Sequence, residues 1–141
     1  MTEFKIEKQI QINAGKEKIW DALTNPEIIK QYLFGTEVIS DWMVGAEIVF
    51  QGEYENTQYK DNGTIRVFDV EKRFQYTYLS SFSGLEDIPE NYHLITYDLD
   101  DKNGITMLTI VQENIQSQEA RDHSEKNWEM VLNKIKEIVE E

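Results

Sequence analysis

The sequence predicts an α+β fold, a curved antiparallel sheet of about six to seven strands wrapped on one long C-terminal helix, with two short helices after the first strand. Three observations predict it. Residues 3–13, and most of the stretch from 37 to 114, alternate apolar and polar side chains with period two, the mark of strands with one buried face. Residues 16–33 change to helical spacing in two short runs. Residues 117–141 carry an apolar stripe at helical spacing that neither Gly nor Pro interrupts.

In the first strand Phe4, Ile6, Ile10 and Ile12 alternate with charged and polar residues. After Ala14-Gly15, the side chains Ile19, Ala22 and Leu23 share one helical face, with Trp20 at its edge. Asn25-Pro26 ends that helix and starts another, because Asn caps well and Pro is preorganised for the first helical position. Ile28, Ile29, Tyr32 and Leu33 give the second helix its buried side. A short strand over residues 37–40 and a longer one over 46–54 follow, with Ile48, Phe50 and Tyr54 on one face. Asp61-Asn62-Gly63 reads as a tight turn into a strand over 63–70, whose phase slip predicts a bulge near Phe68-Asp69. Phe74, Tyr76 and Tyr78 share a face of the next strand. A loop with Gly84, Pro89 and Asn91 leads to a strand over 92–100, and Asp101-Lys102-Asn103-Gly104 turns into the last strand, 105–114.

Ser117 is a credible N-cap of the final helix, with Glu119 near its positive end. On the wheel Trp128, Val131, Leu132, Ile135, Ile138 and Val139 form the buried side. One and two turns earlier that side carries Ser124 and Arg121, so the helix is expected to pack tightly at its C-terminal half and to be polar or open at its N-terminal half. Arg121 fits a cavity mouth, where it would meet an acidic ligand, and equally a guanidinium reaching solvent.

Composition narrows the function. The 141 residues suit one domain, 1–141, with a sizeable core. Fourteen Lys and Arg against 27 Asp and Glu give a net charge of -13, which repels nucleic acid and anionic lipid headgroups. No apolar run approaches a bilayer span and the N-terminus lacks a secretory apolar core, so a cytoplasmic protein without membrane insertion is expected, as a monomer. The absence of cysteine removes disulfides, thiolate metal sites and cysteine nucleophiles. Only two histidines exist, His93 in a strand of undecided orientation and His123 on the flank of the last helix, and no metal or triad spacing accompanies them. Neither a metal nor another cofactor is expected.

The aromatic residues say more. Alternation points Phe50, Tyr54, Phe74, Tyr76, Tyr78, Tyr97, Leu99, Leu108 and Ile110 toward the helix that carries Trp128. So many inward tyrosines fit a cavity lined by aromatic bodies with a few hydroxyls, suited to a flat, mostly apolar ligand. They fit equally a filled core whose phenols reach its edge.

At Ile19-Trp20-Asp21-Ala22-Leu23-Thr24-Asn25-Pro26-Glu27, Asp41-Trp42-Met43-Val44-Gly45, Asp87-Ile88-Pro89-Glu90-Asn91, and His123 ahead of Trp128-Glu129-Met130-Val131-Leu132, the chain resembles the SRPBCC (START/Bet v 1-like) superfamily, in the branch named after the activator of the heat-shock protein 90 ATPase. The resemblance covers nearly the whole chain. It implies a helix-grip fold, with a hydrophobic cavity between sheet and C-terminal helix. Members bind lipids, sterols, plant hormones and polyketides, some are cyclases or aromatase-like, and this branch mostly lacks assigned activity. The sequence departs from the pattern at Asn127, where a glycine usually precedes the tryptophan, and a side chain there narrows the space beside the helix.

The expected function is binding of a small hydrophobic molecule, a lipid, polyketide or flavonoid-like compound, lined by Phe50, Tyr54, Tyr76, Tyr78, Tyr97, Leu108, Ile110, Arg121, Ser124 and Trp128. Two alternatives stand beside it. One is a stress-related co-chaperone of a heat-shock ATPase, motivated by the family name, although the chain reads as one domain without the extra N-terminal domain expected of the eukaryotic activator. The other is a cyclase or hydratase working through Tyr78, Arg121 and Ser124 at the cavity mouth.

Overall fold

A computed structural model describes residues 4–140. Residue 3 of the first expected strand and Glu141 of the last helix lie outside them. The elements follow as β1 (Phe4–Ile12), α1 (Lys16–Thr24), α2 (Pro26–Tyr32), β2 (Glu37–Ser40), β3 (Glu47–Tyr54), β4 (Thr57–Asp69), β5 (Arg73–Tyr78), β6 (His93–Lys102), β7 (Ile105–Ile115) and α3 (Gln118–Val139). Among the described residues the seven strands form one sheet in the order β1-β7-β6-β5-β4-β3-β2, every neighbouring pair antiparallel. This is the α+β arrangement that the sequence pattern predicts, and the helix-grip fold that the resemblance implies.

The helix ends obey local chemistry. Asn25 accepts a hydrogen bond from the Glu27 backbone N–H at 3.0 Å and Pro26 opens α2, so the Asn-Pro pair does what its composition implies. Ser117 caps α3 by accepting from the Ala120 backbone N–H at 3.1 Å. With 22 residues α3 is about 33 Å long, enough to cross the concave face of the sheet.

Three contacts fix its direction. Arg121 donates to the Lys5 carbonyl, Lys136 to the Gln11 carbonyl, and the Asn13 backbone N–H to Glu140 Oε2. The helix therefore runs parallel to β1 and antiparallel to β7. Val131, Leu132, Ile135 and Val139 are buried together with Ile6, Ile12, Ile19, Leu108 and Ile110, so the C-terminal half of α3 closes the core. No helix of the described residues is long and apolar enough to cross a membrane.

Strand β4 departs from expectation. It runs for 13 residues straight through Asp61-Asn62-Gly63, which the sequence assigns to a turn. The reversal lies earlier, at Glu55-Asn56, where Tyr54 pairs with Thr57 and both loop residues have positive φ (49° and 66°), a type I′ geometry. The bulge also moves, to the register shift between Ile65 and Val67. Asn103-Gly104, by contrast, makes the expected two-residue turn, between paired Lys102 and Ile105. Because Glu55 has no conformational liking for positive φ, replacing Glu55-Asn56 by Asn-Gly is expected to stabilise the protein by about 1 kcal/mol. Urea unfolding reads this as a higher midpoint at unchanged slope.

Candidate functional site

Between the sheet and the N-terminal half of α3 lies a cavity of about 700 Å³. Strand alternation supplies its floor. Phe50 on β3 lies directly opposite Asp61 on β4, Tyr76 opposite Ile95, Phe74 opposite Tyr97, and Tyr78 opposite His93, and all of these except Phe74 face the space. Its roof comes from Ala120, His123, Ser124, Asn127, Trp128 and Val131, successive turns of α3. Leu33, Phe34 and Thr36 close one side behind α2, and Ser80, Phe82 and Ser83 another. Phe34, Tyr54 and Phe82 are exposed and ring the opening, with Tyr54 and Phe82 in edge contact at 6.4 Å between ring centres.

The interior is aromatic. Phe50 and Tyr76 lie 5.4 Å apart and Tyr97 meets the Trp128 indole edge-on at 5.9 Å. Burial drives the Tyr76 and Tyr97 phenols above their ordinary value, so both are neutral hydrogen-bonding groups across the physiological range. Every fully buried side-chain nitrogen or oxygen among the described residues has a hydrogen-bond partner.

Two polar chains reach the wall. In the first, Tyr78 donates its phenol hydrogen to Asp61 Oδ2 at 2.6 Å, and Ser81 donates to Oδ1 from its backbone N–H at 2.7 Å and from its hydroxyl at 2.8 Å. Burial, then the adjacent Asp61 charge and the hydrogen bond to it, holds the Tyr78 phenol well above 10. In the second, the Trp128 indole donates to Gln112 Oε1 at 2.7 Å, Gln112 Nε2 meets His93 Nδ1 at 2.7 Å, and His93 Nε2 meets Gln116 Oε1 at 3.1 Å. The order of donors follows from one fact: an indole N–H can only donate. The amide oxygen of Gln112 must face it, the amide NH₂ must then face Nδ1, and the ring hydrogen sits on Nε2.

Protonating His93 would set an Nδ1–H against that NH₂. Burial lowers its pKa from the ordinary 6.5. On acidification the unfolded chain takes up this proton first, so the contribution is full above about 6.5 and falls as pH drops toward the folded value. His93→Gln is expected to make the decline in stability between pH 7.5 and 5.5 shallower, read by urea midpoints across that range. Parallel profiles for both proteins would show that the imidazole titrates freely.

Of the ten residues that the sequence singles out, the fold gathers seven around the cavity: Phe50, Tyr54, Tyr76, Tyr78, Tyr97, Ser124 and Trp128. Tyr54 stands at the exposed rim and not inside. Leu108 and Ile110 point inward but lie under the C-terminal half of α3, in the filled core, fully buried and away from the cavity. Arg121 is not at the mouth either. Its guanidinium turns toward β1 and is held by Glu125 at 3.1 Å, Asp122 at 3.4 Å and the Lys5 carbonyl at 3.3 Å. Asn127 and His123 lie on the cavity border, both exposed. The residues missed are Asp61, hidden by the turn reading, and Gln112, while His93, whose orientation the sequence leaves undecided, faces the cavity. For Gln112 a signal existed, since it shares the period-two face of Leu108 and Ile110.

Residues 13–140 match the family model described as Activator of Hsp90 ATPase homolog 1-like protein. Among solved structures, the chain is similar to ChR145 from Cytophaga hutchinsonii, at 40% identity over 97% of this chain and 94% of that one, with a TM-score of 0.85. The Aha1 dimer from Colwellia psychrerythraea aligns with a TM-score of 0.77 at 18% identity, over 97% and 96% of the two chains. DynU16, a protein of the dynemicin biosynthetic locus, aligns with a TM-score of 0.80 at 12% identity, over 96% of this chain and 47% of that one. The last two likenesses show the fold alone. No curated protein matches the chain.

Proposed function

The chain belongs to the activator of Hsp90 ATPase homolog 1-like family, and from that premise we propose that it binds a small, flat, mostly apolar molecule between the sheet and the N-terminal half of α3. The observation that carries this reading is the cavity itself. About 700 Å³ lies within the range of small-molecule sites, and the walls are aromatic bodies with a few placed polar groups. A fold that needed only a core would fill such a space, because interiors pack to near-crystal density. Here Phe50, Tyr76, Tyr97 and Trp128 face that volume, while Leu108, Ile110, Ile135 and Val139 are fully or almost fully buried in the core and do not line it.

Polyketide or flavonoid-like rings suit this wall better than a straight acyl chain, since stacked and edge-on contacts reward planar partners. A screen of ring compounds and lipids followed by amide chemical shifts tests the reading. Binding should move the amides of Ile95, Gln112, Ser124 and Val131 together. A library that moves none of them would refute it.

A further inference from the structure

The polar groups of the cavity are unequal in sign. Its lining includes two carboxylates, Asp61 and Glu53, and neither lysine nor arginine. Glu53 is exposed at the rim. Asp61 is 6% exposed on the inward face of β4, and the ion pairs of the described residues leave it out. Arg121, on the roof helix, is committed to Glu125 and Asp122 and is not among the lining residues. His93, the histidine of the inner wall, is kept neutral by burial and by the Gln112 NH₂. His123 stands exposed at the border.

Three donors reach Asp61, two of them on Oδ1 and one on Oδ2. A carboxylate offers about four lone-pair sites, so one on Oδ2 is left for a ligand. A charge removed from water without a counter-charge is unfavourable, and no ion pair of the described residues supplies one to Asp61. We propose that the cavity selects ring compounds that carry a protonated amine, whose N–H reaches Asp61, over carboxylate-bearing molecules of the same shape. This rests on the binding reading above and adds the charge of the ligand. It also reverses what a guanidinium at position 121 would have favoured.

Three probes of one shape separate the two readings: naphthylmethylamine, naphthylmethanol and naphthylacetate, titrated into the protein by calorimetry and amide shifts. The amine is expected to bind about tenfold tighter than the alcohol, as one charge-assisted hydrogen bond supplies, and the acetate more weakly than either. Asp61→Asn should bring the amine down to the alcohol, a loss of about tenfold, and leave the alcohol within about twofold.

That substitution changes the net charge only from -13 to -12, so it isolates the local carboxylate from the general field. Glu137→Gln, which makes the same change on an exposed side chain paired with Lys134, should leave the ranking intact. Should Asp61→Asn fail to fold, the wild-type Ser81 amide, which donates to Asp61, serves instead, moving with the amine and not with the alcohol. Equal affinity for all three probes, or an unmoved Ser81 amide, overturns the charge selection and leaves the binding reading standing. Binding by none of them removes both.

Discussion

Trp128→Ala is expected to destabilise the protein by about 3 to 5 kcal/mol, the range for truncating a buried aromatic. The indole is 8% exposed, sits edge-on to Tyr97, and begins the apolar stripe that Val131, Leu132 and Ile135 continue. Its loss also leaves Gln112 Oε1 without a donor in a buried place, and with it the order of the Gln112–His93 pair. The adjoining cavity admits water to that group, so the lower end of the range is the expected value. Trp128→Phe keeps one six-membered ring and loses the pyrrole part of the indole with its N–H, and should lose about 1 to 2 kcal/mol. Urea unfolding of both variants checks this, and a loss below about 1 kcal/mol for the alanine would mean that the indole anchors nothing.

Gly63→Ala is expected to be at least as damaging, above about 3 kcal/mol, although it adds a single methyl. Gly63 lies where β4 passes between β3, at Ile48, and β5, and a Cβ there would sit 1.6 Å from the Thr77 carbonyl oxygen. The obstacle is backbone in the middle of the sheet, so no side chain can rotate away. Strands β4 and β5 would have to separate, breaking the Asn62–Leu79 bridge and the hydrogen bond from the Thr64 N–H to the Thr77 hydroxyl. Thermal unfolding measures it, and a change within about 0.5 kcal/mol would show that the strands are not held at this spacing.

Gly63 also shows where sequence reading meets its limit. Asn-Gly between apolar runs is a strong hairpin signal, and Asn103-Gly104 obeys it. Asn62-Gly63 carries the same letters for another reason: here glycine permits a close approach of two backbones, a long-range fact that no local window contains. The actual turn, Glu55-Asn56, has no glycine to announce it. The error propagated to the site, because a turn at residues 61–63 removes Asp61 from the inward face that it shares with Ile65.

Elsewhere periodicity was enough. The stripe of α3, the Asn25-Pro26 junction, the Ser117 cap and the inward tyrosines of β5 and β6 were all legible, since each rests on neighbours within a few residues. Arg121 illustrates the reverse. The wheel gives its azimuth correctly, but a long side chain goes where its partners are, and Glu125 on the next turn and the Lys5 carbonyl draw it off the cavity. Leu108 and Ile110 point the right way and lie at the wrong depth, because alternation assigns a face and not a position along the helix above it.

The most direct measurement is the position of a bound neutral ring compound. Intermolecular nuclear Overhauser contacts from naphthylmethanol should connect its ring protons to the side chains of Tyr76, Tyr97 and Trp128, inside the cavity and beneath α3. Contacts confined to the exposed rim residues Phe34, Tyr54 and Phe82, with none to those three rings, would contradict an open interior that takes a ligand.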